Sequence, residues 1–427
     1  MKRVHSKNLY DSIPVIKGRR VYALAIVVLV IIQGACSNNA LTDPLAPHGT
    51  LAEEMIVTEN DSTSLANPEL EAITPYNNGG YREDINTYSL NVFGDVRGGV
   101  VGNDRALYTA DLTSFGALMQ TLTFNESTIW PEDVMMPEDN SCQPAYILEH
   151  GKNPGLCVRS IHERGITGSG VSVAIIDQAM PVNHPEYNGK IASYVNLGIG
   201  SFSMHGPGVT SLLVGEHVGT APGSKVYYFV AERYIDGRPD ASTYAEAVEQ
   251  IIDINSSLPE SERIRVISVS ASPTPSYDVW INSDQYIDSV IRAQEAGILV
   301  LDCSLEHGFV RVCSYSFENP EDVTLCRPGF LDGSTWMPSQ DSILVPVAYR
   351  TIAEVYSDGD FSYAYFGDGG LSWGIPYAAG VFALGWEINP DLSPDEMVNI
   401  VFETAYIDSN GNKYIFPTAF IDYIENT

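Results

Sequence analysis

The segment Gly367–Gly380 joins a glycine-rich turn to a single serine, and a serine in such a loop can act as a nucleophile. It begins Gly-Asp-Gly-Gly-Leu-Ser-Trp-Gly and continues with small and apolar residues, which predicts a tight loop leading into a buried helix. Ser372 would then lie in the first helical turn, beside backbone N–H groups that have no partner within the helix. Acyl transfer requires such a hydroxyl and such donors. A serine that merely caps a helix has the same pattern, so this segment alone leaves both roles open.

Two further residues have types and positions that suit the same chemistry. Asp177 ends the apolar segment Val171–Ile176, a predicted buried strand, and His205 precedes Gly206 at the start of a predicted helix. Each by itself has an ordinary interpretation, as a strand-end acid or as a capping or core histidine. With Ser372 they occur in the chain order Asp, His, Ser, one of the orders in which nucleophilic triads are found.

Strand and helix patterns alternate from Ile161 onward, and this alternation predicts the scaffold. Near-continuous apolar strands separated by helices indicate an α/β fold with a doubly wound, mostly parallel sheet and helices on both faces. In such sheets functional sites lie at the carboxyl ends of strands, where Asp177 is expected. Further predicted strands are Val226–Val230, Val266–Val269, Ile298–Leu301 and Ile343–Val347. Predicted helices are a segment beginning near Val209, one opened by a Thr243/Glu246 capping box, Tyr286–Ala296, Ile375–Trp386 and Pro394–Glu403.

Taken together, these motifs resemble those of the subtilisin-like serine proteases (subtilases). The similarity extends over residues 137–427 and rests on three motifs in order. They are the strand that ends in Asp177, the His205-Gly206 helix with its trailing Ala-Pro-Gly, and the Gly-x-Ser-x-x-x-Pro-x-x-x-Gly pattern around Ser372.

The resemblance implies a subtilisin-like fold and hydrolysis of protein or peptide substrates through an acyl-enzyme. Ser372 would attack the peptide carbonyl, His205 would take its proton and return it to the leaving amine, and Asp177 would orient the imidazole. The Ser372 N–H would supply one oxyanion donor. Ser268, Val269 and Ser270 resemble the family's substrate-binding strand. No cofactor is required by this chemistry. Structural calcium is common in the family and compatible with the acidic composition, but the sequence locates no site.

One departure from the family pattern concerns the oxyanion hole. Glu306 stands where the family usually has an asparagine that donates the second hydrogen bond. An ionised glutamate only accepts hydrogen bonds and would repel the developing negative charge. A buried, protonated glutamate could donate instead, and His307 or an amide from elsewhere could substitute. The alternative function is therefore a catalytically impaired pseudoprotease that binds peptides or acts as a scaffold.

Composition and charge exclude other classes of function. The chain has 427 residues, 44% of them hydrophobic, which is enough for a large folded core. With 54 acidic and 23 basic residues the net charge is −31, which argues against binding to nucleic-acid backbones or to anionic lipid surfaces.

The N-terminus predicts export from a bacterial cell. Basic residues precede the short apolar segment Val21–Ile32, and small residues lead to Cys36, as in a lipoprotein signal whose cysteine is lipidated. Gln33 departs from the aliphatic residue usual at such sites. A plain secretory signal and an uncleaved anchor remain alternatives, so the product would be a cell-surface lipoprotein or a secreted protein.

The predicted organisation is an export signal at 1–35, a flexible acidic tether at 36–75, an N-terminal extension of unknown role at 76–136 and a peptidase domain at 137–427. The extension contains a candidate helix around Leu112–Leu122. Spacing makes Cys142–Cys157 and Cys313–Cys326 plausible bridges and favours a buried thiol at Cys303. The sequence leaves the substrate preference and the oligomeric state open.

Overall fold

The computed structural model describes residues 55–56, 111–128, 130–198, 203–275, 279–304, 308–335, 341–357 and 360–427. The predicted export signal, Cys36 and Glu306 lie outside these ranges, and so does the predicted tether at 36–75 apart from Met55–Ile56. The described helices are α1 Pro144–His150, α2 Val158–Glu163, α3 His205–Val214, α4 Ser242–Ser257, α5 Ser283–Glu295, α6 Leu371–Ile388, α7 Pro394–Glu403 and α8 Pro417–Glu425. The first strands are β1 Met55–Ile56, β2 Thr123–Asn125, β3 Ser172–Asp177, β4 Ile191–Asn196, β5 Lys225–Val230, β6 Tyr234–Ile235, β7 Arg238–Pro239 and β8 Ile264–Val269. They are followed by β9 Leu299–Asp302, β10 Val310–Ser314, β11 Arg327–Pro328, β12 Ile343–Pro346, β13 Arg350–Ser357, β14 Asp360–Phe366, β15 Tyr406–Ile407 and β16 Lys413–Tyr414.

A six-stranded sheet in the order β1-β4-β5-β3-β8-β9 forms the centre of the molecule. All neighbouring pairs are parallel except β1–β4. Side chains alternate between the faces of β3: Val173 and Ile175 pack in the cluster that contains helices α3 and α6, whereas Ala174 and Ile176 pack with α4 and α5. Both faces are therefore covered, which is why the strands are apolar almost throughout. The predicted doubly wound α/β fold is confirmed.

A second layer of strands covers the outer side of α3. Strands β13 and β14 form an antiparallel pair, and β2 adds to β14 as a third strand. Leu112, Phe115 and Met119 pack there against Phe317 and Tyr365. The described residues 111–128 thus pack directly on the predicted peptidase domain, while the proposed domain boundaries remain predictions.

Three local expectations were wrong. Thr243 makes no capping box with Glu246, because helix α4 begins at Ser242, two residues earlier than expected, and the buried Thr243 hydroxyl donates to the carbonyls of Ala231 and Asp240. The helix expected around Leu112–Leu122 is a 3₁₀ helix over Gly116–Thr121. Neither cysteine pair forms a disulfide: Cys142, Cys157, Cys303, Cys313 and Cys326 are all free thiols. Within the described ranges, no helix is both long and apolar enough to cross a bilayer.

Candidate active site

Asp177 and His205 meet at the carboxyl edge of the central sheet. Asp177 is the last residue of β3 and is buried, and His205 is the first residue of α3. His205 Nδ1 lies 2.7 Å from Asp177 Oδ1, which also accepts the backbone N–H of Gln178 at 2.8 Å. A carboxylate at Nδ1 favours the tautomer that has its proton there, which leaves Nε2 of the neutral ring as a proton acceptor.

The charge of this pair sets the basicity of the histidine. Burial alone would lower the pKa of His205, but the charge and hydrogen bond of Asp177, with a further contribution from Glu232, raise the pKa above 6.5, its ordinary value. The ring is therefore a stronger base than a free imidazole. It is also stabilised as the cation that forms when it takes a proton.

The close contacts around Gly206 explain why a glycine follows His205. A Cβ atom at this position would lie 2.6 Å from the carbonyl oxygen of Gln178 and 2.7 Å from the hydroxyl of Tyr228. Any larger residue would push the start of α3 away from the end of β3. The glycine thus allows the close approach that joins His205 to Asp177.

The glycine-rich segment delivers Ser372 to the start of helix α6. Gly370 is the N-cap, so Ser372 is the second helical residue, and its backbone N–H belongs to the turn without intrahelical acceptors. At Gly369 a Cβ atom would lie 2.1 Å from the carbonyl oxygen of Val347 and 2.4 Å from Trp373 Cδ1. The loop therefore needs glycine there because it passes directly against β12 and its own helix.

Ser270 and Ser372 exchange two hydrogen bonds. The carbonyl of Ser372 would ordinarily accept the N–H of Pro376 four residues later, but proline has none. The Ser270 hydroxyl donates to that carbonyl at 2.9 Å, and the Ser372 hydroxyl donates to the Ser270 carbonyl at 3.2 Å. The end of β8 and the start of α6 are thereby joined.

Trp373 brings the histidine and the serine into one site. Its buried indole lies against the His205 ring, with centroids 5.6 Å apart, and packs edge-on against Phe366 at 5.3 Å. His205 is thus adjacent to the residue that follows Ser372. Among the described contacts no hydrogen bond joins His205 to the Ser372 hydroxyl, which points to Ser270 instead.

The three predicted substrate-binding residues differ in whether their backbones are paired within the sheet. Ser268 and Val269 pair with β3 on one side and β9 on the other, so their backbones are already used within the sheet. Ser270 is the first residue beyond β8 and contacts Ser372. Of the three, Ser270 is the one next to the candidate nucleophile.

Three residues near the site have roles that the sequence did not reveal. Cys303, the first residue beyond β9, has its thiol within hydrogen-bonding reach of Ser372, and burial raises the pKa of that thiol well above its ordinary value. Ser203 and Glu232 contact Gln178, the residue after Asp177. Gln178 follows Asp177 directly, and Ser203 lies two residues before His205. Glu232 carried no sequence signal, because 54 residues separate it from Gln178.

Part of the chain is similar to a known protein family. Residues 168–314 match the Subtilase family. The predicted resemblance is confirmed over this region, which contains Asp177, His205 and Ser268–Ser270 and ends before Ser372.

Among solved structures, the chain is similar to the prenylagaramide maturation protease PagA, with 16% identity, a TM-score of 0.46, and coverage of 62% of this chain and 98% of that one. A mutant of the protease domain of PatA has 15% identity and a TM-score of 0.47, with 61% and 98% coverage. Fervidolysin from Fervidobacterium pennivorans, a keratinolytic enzyme related to subtilisin, has 15% identity and a TM-score of 0.47, with 65% and 47% coverage. The subtilase match indicates a serine peptidase.

Proposed function

We propose that this protein is an exported serine endopeptidase that hydrolyses peptide bonds through Asp177, His205 and Ser372. The observation that carries the proposal is the Asp177–His205 pair at 2.7 Å, with the imidazole lying over Trp373, directly beside Ser372. A buried acid, a histidine with raised pKa and a serine at a helix N-terminus form the set of groups that acyl transfer needs.

The reaction follows from these positions. Rotation about the Cα–Cβ bond of Ser372 turns its Oγ from the Ser270 carbonyl towards His205. His205 then removes the hydroxyl proton as Oγ attacks the peptide carbonyl, and the Ser372 N–H stabilises the oxyanion. The imidazolium gives its proton to the leaving amine. Water, deprotonated by His205, hydrolyses the acyl-enzyme and restores the serine.

A second candidate is the pseudoprotease, a peptide-binding or scaffold protein with the same fold. One contact favours it: the Ser372 hydroxyl donates to the Ser270 carbonyl at 3.2 Å and not to His205. Glu306, at the usual position of an oxyanion-hole asparagine, is the sequence feature in its favour.

A fluorophosphonate probe separates the two candidates. This reagent phosphonylates a serine hydroxyl only when a neighbouring base activates it, so the peptidase should carry one adduct, mapped by mass spectrometry to Ser372. His205→Ala should abolish the adduct. A folded protein whose Ser372 stays unmodified would contradict the peptidase function and support the pseudoprotease.

His217→Ala is the matched control, because His217 also pairs with a carboxylate but lies at the other end of α3. It should label as the wild type does. Loss of labelling in both histidine variants would indicate a general effect on folding and not the removal of a catalytic base.

We also propose, from the sequence of residues 1–36, that the mature chain is exported from a bacterial cell and anchored by lipid at Cys36. Expression in bacteria with radiolabelled palmitate should label the full-length chain in the membrane fraction, and Cys36→Ser should remove the label. An unlabelled chain recovered from the medium would instead identify a plain secretory signal.

A further inference from the structure

The contact between Asp177 and His205 is accompanied by a second connection that runs through side chains. The side-chain oxygen of Gln178 accepts a hydrogen bond from Ser203, and the Ser203 hydroxyl accepts the backbone N–H of His205 at 3.0 Å. The backbone N–H of Gln178 donates to Asp177 Oδ1 at 2.8 Å. Gln178 is thus bonded both to the acid and to the residue that holds the start of the histidine helix.

The other end of the Gln178 amide is held by a carboxylate. Gln178 Nε2 donates to Glu232 Oε1 at 2.9 Å, and the hydroxyl of Tyr234 donates to the same oxygen at 3.1 Å. An ionised carboxylate accepts only, so it selects the orientation in which the Gln178 NH₂ faces Glu232 and its oxygen faces Ser203. The Ser203 hydroxyl must then donate to Gln178, which leaves its lone pairs for His205 N–H.

Glu232 also contributes charge. The groups that face it are Asp177 at the end of β3, His205 on α3, and the tyrosines Tyr234 and Tyr244. Burial is the main reason that the pKa of Glu232 lies above its ordinary value, with Asp177 raising it further, while hydrogen bonds and the positive charge of His205 oppose this. When ionised, Glu232 adds a second negative charge beside the imidazolium.

We propose that Gln178 is a positioning residue for the triad, that Glu232 holds the His205 helix end through it, and that the charge of Glu232 increases the basicity of the imidazole. This inference rests on the proposed peptidase function, but its physical content concerns the Asp177–His205 pair and can be measured in a protein that turns over no substrate.

The two residues have separable effects. Removing the Glu232 charge lowers the pKa of His205, so the acid limb of kcat/KM moves to lower pH. Breaking the link at Gln178 or Ser203 loosens the geometry, and kcat falls with little change in KM. The expected fall is about 10- to 100-fold, by analogy with the loss of hydrogen-bond partners that orient metal-ligating histidines.

The decisive experiment is an NMR titration of His205 in protein labelled with ¹³C and ¹⁵N at histidine, with Ser372→Ala as the background. Glu232→Gln should titrate at lower pH than the parent, and Glu232→Asp, which keeps the charge, should shift it less. Equal midpoints for all three proteins would overturn the charge effect. Because this background is inactive by design, the result is independent of fluorophosphonate labelling, so failure of the proposed function and failure of this inference are distinguishable.

The hydrogen-bonded link from Gln178 through Ser203 to His205 is tested in the active protein. Gln178→Leu and Ser203→Ala should each lower kcat, and the double variant should lose little more than either single one, because both interrupt the same chain of bonds. Ser203→Thr keeps the hydroxyl and should restore most of the rate. Glu246→Gln, on an exposed face of α4, is the charge control and should leave rate and pH profile unchanged. Fully additive losses, or no rescue by threonine, would overturn the positioning role.

Discussion

Two carboxylate–histidine pairs lie at opposite ends of helix α3. Asp177 pairs with His205 at its first residue, with 2.7 Å between Oδ1 and Nδ1. Glu186 pairs with His217 just beyond its last residue, with 3.0 Å between Oε1 and Nδ1. In both pairs the acid is buried and the histidine reaches it through Nδ1. By residue type and distance alone they would be hard to tell apart.

The two acids differ in the other hydrogen bonds that they accept. Glu186 also accepts the N–H groups of His217 and Val218 and the hydroxyl of Tyr363 at 2.6 Å, so its oxygens bind the end of α3 to strand β14. Burial would raise the pKa of Glu186, but these hydrogen bonds and the charge of His217 lower it below its ordinary value. The ring of His217 is 67% exposed and that of His205 is 19% exposed.

The two pairs also differ in what lies on the far side of the imidazole ring, and the proposed catalytic role of His205 depends on that difference. His205 faces Trp373 and the start of α6, where a serine follows a glycine loop. His217 faces solvent. Glu186 is thus tied into the fold by several hydrogen bonds, whereas in the proposed peptidase Asp177 would orient and stabilise a catalytic base.

The largest expected effect is on catalysis by Asp177→Asn. The amide cannot hold the tautomer or stabilise the imidazolium, so kcat should fall by about 10⁴-fold while the folded structure persists. Steady-state cleavage of a peptide library, with circular dichroism as the check on folding, measures this. Glu186→Gln is the matched variant and should retain kcat per folded molecule. Comparable losses in the two variants would remove the distinction between the pairs.

For the free energy of unfolding, the larger effect is expected from Glu186→Gln. Glu186→Gln leaves buried donors without an acceptor and should lower the free energy of unfolding by about 2–4 kcal/mol, measured by urea denaturation. Because the folded pKa of Glu186 is depressed, its stabilisation is present above pH 4.5 and lost as pH falls through the folded value. The deficit of the variant should therefore shrink in acid. A deficit that stays constant down to low pH would contradict the linkage.

A smaller effect separates the pairs by pH dependence. The pKa of His205 is raised, so its charged form stabilises the fold below pH 6.5, and this contribution is lost as pH rises through the folded value. Catalysis has the opposite sign, because the base must be neutral: kcat/KM should rise as pH passes the same point, above 6.5. In Asp177→Asn the increase of the residual kcat/KM with pH should occur at a lower pH than in the wild type. In Glu186→Gln it should occur at the same pH as in the wild type.

The smallest effect should come from His217→Ala. The ring is mostly exposed and Glu186 keeps its backbone and tyrosine donors, so the loss should be below about 1 kcal/mol. Thermal and urea unfolding measure it, and fluorophosphonate labelling of Ser372 should be unaffected. A loss of several kcal/mol would mean that His217, and not the backbone around it, anchors Glu186.

Much of the fold could be predicted from local patterns. The apolar strands of the parallel sheet and the helices predicted at Pro394–Glu403 and Ile375–Trp386 follow from hydrophobic periodicity and glycine or proline boundaries, which depend on neighbouring residues. In the structure the second of these helices is longer, Leu371–Ile388. Thr243 shows the limit of such patterns. A threonine followed by Glu246 fits a capping box, but the fold brings the Ala231 carbonyl to Thr243, and that contact takes the hydroxyl.

The sequence by itself determined which groups are available to the site: an acid at a strand end, a histidine followed by the glycine that close approach requires, and a serine in a glycine-rich turn. The tertiary structure decided what each group does. It placed the Ser270 hydroxyl beside the Ser372 carbonyl, which Pro376 leaves without a donor. It also brought Glu232 to Gln178, the residue after Asp177. The reason is that strand register and helix packing join residues far apart in the chain, and no local pattern encodes which of them will meet.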